Sequence, residues 1–84
     1  MDSRFQISDP LEDVFGDSLN FYVTDGDQTV SARVSLIALA AMGRGLPPHE
    51  AFARNKERIR KVAYEMRRAN PKVGLLTLHA SHFL

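Results

Sequence analysis

The stretch LNFYVTDGDQTVSARV, residues 19–34, constrains the fold more than any other part of the chain. Leu19, Phe21 and Val23 alternate with Asn20, Tyr22 and Thr24, and past Gly26 the apolar residues Val30, Ala32 and Val34 alternate with Thr29, Ser31 and Arg33. Period-two alternation on both sides of a turn signal predicts two half-buried strands joined as a hairpin. Pairing Val23 with Val30 sets Phe21 opposite Ala32 and Leu19 opposite Val34. It leaves Gly26-Asp27 as a two-residue turn, with glycine where a type II′ turn requires it. One face of this hairpin is buried, and the other, with Tyr22 and Arg33, is wet or covered by something else.

The segments around the hairpin complete an α+β pattern. In SLIALAAMG, Ser35 caps a helix over residues 36–42 and Gly43 stops it; a helix apolar nearly all round is buried on more than one side. GRGLPP makes a rigid corner. Pro48 then opens a long helix over residues 48–70, which Pro71 ends because the residue before a proline is pushed out of helical geometry. VGLLTLHASHF reads as a strand over residues 74–80. In the acidic N-terminal segment, residues 1–18, RFQI alternates as a short edge strand at 4–7. SDPLEDVFG follows, with Asp9 as cap, Pro10 at the first helical position, Glu12 closing a capping box and Gly16 as stop. That predicts one or two helical turns over residues 10–15 and accounts for the acidic cluster through the helix dipole. The expected architecture is one small α+β domain, hairpin 19–35 included, with helices packed on one face of an antiparallel or mixed sheet.

Composition narrows the function classes. The chain has 84 residues, of which 44% are hydrophobic and 25% charged, and contains no cysteine. Global disorder is excluded on that balance, and so are a disulfide framework, a thiolate metal site and a cysteine nucleophile. A domain of this size buries only about 60–65% of the surface of its unfolded chain, so its stability margin is thin. The first residues, MDSRFQISDPLEDVFGD, lack the basic and apolar regions of a signal peptide, and no apolar run approaches the roughly 18 residues of a membrane span. The expected setting is cytoplasmic, with no membrane contact. The net charge of +1 hides a division: residues 1–43 carry −5 and residues 44–84 carry +6. Such a split fits an anionic partner, attraction between the two halves, or attraction between two copies.

From Val30 onward the chain resembles a small bacterial domain-of-unknown-function family, number fourteen-eighty-eight. The resemblance rests on VSARVSLIAL, HEAFARNKERI and GLLTLHASHF. In that family a strand runs into an S-x-x-A-L helix start, a second helix carries A-F-x-x-N-R-x-x-I, and the chain ends near L-L-T-x-x-x-F. Ala51, Phe52, Asn55 and Ile59 match this pattern, Lys56 replaces the usual arginine, and His82 stands where an aspartate is expected. The resemblance implies a small stand-alone α+β protein and no established activity.

Residues 54–68, RNKERIRKVAYEMRR, hold seven basic and two acidic side chains. At 100° per residue, Phe52, Asn55, Ile59, Val62, Ala63 and Met66 share one sector of roughly 100°, the width of a core-facing stripe. Arg54, Arg58, Lys61 and Arg68 lie opposite, and Lys56, Arg60 and Arg67 flank the stripe. Arg54, Lys61 and Arg68 form a row about 10 Å apart along the axis, suited to phosphate or partner contact. Few side chains in the helix could read base edges and only Tyr64 could stack, so a solvated, partly paired face is the favoured reading. Asn55 is the odd member of the stripe, a structural polar core residue expected to bond a backbone in the C-terminal strand or the GRGLPP corner. On a strand, His79 and His82 point to opposite faces and share no metal. The sequence supplies no catalytic constellation, no phosphate loop and no zinc signature, so no enzyme, cofactor or metal is expected. The favoured expectation is a non-catalytic protein-interaction or regulatory module with a protein partner or a second copy. The alternative is a nucleic-acid-associated accessory protein that binds phosphates through the basic helix.

Overall fold

The computed structural model describes residues 3–12 and 14–84. Strands β1 (Phe5–Ile7), β2 (Val14–Phe15), β3 (Ser18–Asp25) and β4 (Gln28–Ser35) precede helices α1 (Leu36–Gly43), α2 (Pro48–Arg54) and α3 (Lys56–Ala69). Strand β5 (Leu75–Leu78) and a closing 3-10 turn (Ala80–Phe83) follow. The sheet runs β1-β3-β4-β5, with β2 also pairing to β3. All pairs are antiparallel except β4 with β5, which is parallel. A parallel neighbour requires a crossover, and here the three helices supply it. The fold is the expected α+β class.

The hairpin has the expected register, Val23↔Val30, Phe21↔Ala32 and Leu19↔Val34. Gly26 takes φ 65° while Asp27 stays at negative φ, the combination of a type II′ turn. The covered face carries Phe5, Ile7, Leu19, Phe21, Val23, Val30, Ala32, Val34, Leu76 and Leu78, all buried. The helices close it with Ala38, Leu39, Ala51, Phe52, Ile59 and Ala63. Phe21 meets Phe52 edge to face at 5.2 Å, and Phe5 meets Tyr64 at 5.1 Å; such pairs add about 0.5–1.5 kcal/mol to simple burial.

Four local expectations differ from the structure. First, no helix forms over the described part of residues 10–15: Val14–Phe15 is strand, and residue 13 lies outside the described residues. Ser8 N–H donates to the Tyr22 carbonyl at 2.9 Å and Leu11 N–H to the Asn20 carbonyl at 2.8 Å. The outer side of β3 offers these groups better-satisfied partners than one isolated helical turn would. Second, α1 includes Gly43, and Arg44 at φ 48° takes the left-handed position after it. A methyl group on Gly43 would stand 2.5 Å from the Ala51 side chain, so the glycine is needed where α1 and α2 touch. Arg44 accepts the strained place, at a cost of about 1 kcal/mol. Arg44→Gly is expected to stabilise the fold by about 0.5–1 kcal/mol, read as a higher midpoint in urea with an unchanged slope.

Third, the helix expected over 48–70 breaks at Asn55, where φ is −113°. The Asn55 amide donates to the Ala51 carbonyl at 2.9 Å, and the Asn55 backbone N–H uses the same oxygen. Asparagine competes with helical backbone pairing in this way. The expected backbone partner exists, but in the preceding helical turn rather than in the C-terminal strand or the corner. Fourth, the strand expected over 74–80 ends at Leu78. His79 N–H donates to His82 Nδ1 at 2.9 Å and the chain turns into the 3-10 segment. The two rings therefore stand 5.7 Å apart instead of on opposite faces.

Candidate functional site

The basic stretch is largely consumed by the molecule itself. Arg67, on the flank of the stripe, is 7% exposed and joins three elements. Its Nε donates to Asp25 at 3.0 Å, its Nη1 to the Pro71 carbonyl at 2.7 Å and its Nη2 to Gln28 Oε1 at 2.6 Å. Asp25 and Gln28 face each other at the end of the hairpin, so this guanidinium ties the end of α3 to the β3–β4 turn. Lys56 meets Asp9 at 3.0 Å, and Arg60 donates to the Phe5 carbonyl at 3.0 Å and to Glu57. Arg58 donates to the Phe83 carbonyl and lies over the Phe83 ring.

The four expected contact residues are thus divided. Arg54 belongs to α2, across the break, with Glu50 at 3.9 Å. Arg68 bonds the Tyr64 hydroxyl at 3.1 Å and stacks on its ring. Arg58 serves the closing turn. Lys61 alone of the seven cations meets no partner among the described residues. The break at Asn55 interrupts the row of Arg54, Lys61 and Arg68. The shallow groove beside Lys61 is also lined by Arg58, whose guanidinium serves the Phe83 carbonyl, and by Glu65, Val62 and Phe83.

The uncovered face of the sheet is the other candidate. All helices pack on one side, leaving Gln6, Asn20, Tyr22, Thr24, Thr29, Ser31, Arg33, Leu75 and Thr77 on the opposite side by the alternation of the strands. Tyr22 is 44% exposed, Leu75 40% and Leu11 38%. These three, with Asn20, Ser31 and Arg33, line a hollow of about 270 Å³. Arg33 is the single charged side chain that the described strands place on this face, and its Nε leans toward β5, 3.4 Å from Thr77 Oγ1. Exposed aromatic and apolar side chains set among polar ones suit a protein contact surface.

The two sheet edges are unlike. Along the outer side of β3, the segment β1–Pro10–β2 is anchored by the Ser8 and Leu11 amides, and Tyr22 N–H bonds the Ser8 hydroxyl at 2.9 Å. His49 Nε2 donates to the Leu11 carbonyl at 2.9 Å and Lys56 holds Asp9. Strand β5, reading LLTL, has no proline or charge, and no other described residue meets its outer backbone groups. Unprotected edges of this kind are where sheets accept further strands.

Among the described residues, no group of three His, Asp or Glu side chains is placed to hold a metal ion. None of their helices is long and apolar enough to cross a membrane. No protein-family model, curated protein or solved structure matches this chain.

Proposed function

We propose that this chain is a non-catalytic protein-interaction or regulatory module that meets another chain through the uncovered face of its sheet. One observation carries the reading: a sheet packed by helices on one side only, with Tyr22, Leu75 and Leu11 around a hollow on the other. A photo-crosslinking amino acid at position 22, compared with one at position 61, tests it in cells. Protein adducts, or cross-linked copies of the chain, are expected from position 22 and far fewer from 61. If position 22 gives none while 61 gives adducts that nuclease treatment removes, the reading is wrong.

That second result would favour the alternative, an accessory protein on nucleic acid. Lys61 supports it, as the one cation of residues 54–68 that meets no partner among the described residues. The engagement of the other cations weakens it, since phosphate contact would have to compete with bonds already made. Labelled duplex DNA is therefore expected to show flat anisotropy through a salt series. An Arg54/Lys61/Arg68→Glu triple variant is expected to be indistinguishable from the parent chain. Salt-steep binding lost in the triple variant would reverse the ranking.

A further inference from the structure

The two edges of the sheet and the position of Arg33 define the partner more narrowly. We propose that β5 accepts, as an added strand, an extended acidic and apolar segment of a different protein, which places an apolar side chain beside Leu75 and a carboxylate on Arg33. The inference rests on the interaction-module reading and names its partner class.

Main-chain pairing comes first. No described residue pairs the outer groups of Leu75–Leu78, and an edge in this state binds extended peptides through backbone hydrogen bonds, largely regardless of sequence. Selectivity then falls to the alternate side chains of the incoming strand that point to the uncovered face. There they meet Leu75, 40% exposed at the rim of the hollow, and Thr77, over which the Arg33 guanidinium leans. Arg33 has one long contact and no carboxylate, leaving most of its five donors for a ligand. Proline in the segment would remove a pairing donor.

A second copy fits less well. Edge-to-edge pairing of two β5 strands would set Leu75 and Thr77 against their counterparts and lean both Arg33 guanidiniums toward the same seam. The described strands put no acidic side chain on this face to separate them. Like charges across a strand pair oppose association. The charge complement points to a partner that brings its own Asp or Glu.

Selection of random twelve-residue peptides displayed on phage, against the intact chain and against Arg33→Glu, tests the inference. Arg33 is exposed, so the variant keeps the fold, which its thermal melt checks directly. The intact chain is expected to enrich proline-free peptides that carry an apolar residue two positions from an Asp or Glu, so that both fall on one face of the added strand. Arg33→Glu should bind those peptides at least tenfold more weakly and enrich Lys or Arg in their place. Amide resonances of Leu75–Leu78 should shift when the selected peptide is added. Enrichment insensitive to Arg33→Glu, or shifts confined to α3, would overturn this inference and leave an interaction module of another kind. Concentration-dependent dimers whose amide shifts map to β5, without peptide enrichment, would replace the proposed partner with a second copy. No enrichment and a strict monomer, together with no adducts from position 22, would remove both readings.

Discussion

Arg67→Ala is expected to lower the stability of the fold by about 2–3 kcal/mol, the cost of stranding the partners of a buried, charge-assisted fork. The change leaves Asp25, Gln28 and the Pro71 carbonyl without their shared donor. Asp25 keeps 37% of its side chain in contact with water, which holds the loss below that of a fully buried pair. In a domain of this length the shift corresponds to a melting temperature lower by roughly 10–20 °C. Arg67→Lys should recover only part of it, because an ammonium group cannot reach three partners in the plane of a guanidinium. Arg68→Ala, one position on and exposed, should change stability by no more than about 0.5 kcal/mol. Equal effects at 67 and 68 in thermal melts would refute the assignment of Arg67 as the tie between α3 and the hairpin.

Gly43→Ala is expected to destabilise by about 1–3 kcal/mol, the usual penalty for overfilling a packed site. The direction is the informative part, since the same change inside an exposed helix stabilises by about 1 kcal/mol. Here the added methyl group would stand 2.5 Å from the Ala51 side chain, itself fully buried and unable to turn aside. Pairing the change with Ala51→Gly should restore much of the loss, and a double-mutant cycle by urea denaturation measures that coupling. Additive effects would show that α1 and α2 do not meet at this point.

The hairpin was legible residue by residue because its signal is local. Alternation and a glycine at the turn determine both the register and the face of every side chain. The α+β class and the apolar α1 follow from patterns of similar range. What escaped was settled by contacts between distant segments. Residues 10–15 carry a good capping pattern, yet Leu11, Val14 and Phe15 pair with the open side of β3 instead. Arg67 reads as a flanking surface cation, and its burial depends on Asp25 and Gln28, some forty positions away. Asn55 stands out from the apolar stripe, but helical periodicity continues through it and hides the break. Of the candidate site, the wet hairpin face with Tyr22 and Arg33 could be read in advance. Leu75 joins it only through the parallel pairing of β4 with β5, which no local pattern announces. The basic residues were visible as a group, but their individual partners were not.

The unequal edges of the sheet also determine how many strands this molecule can take. Growth along the hydrogen-bonding direction needs two receptive sides, and at the far side β1 is only three residues long, with the Phe5 carbonyl already taken by Arg60. A strand docked on β5 therefore extends a sheet whose other end is β1, an edge too short to offer the same ladder. The two ends are unequal in valence: β5 offers four residues of ladder and β1 three, so strand-paired complexes of this chain are expected to close at two partners rather than propagate as an open fibre.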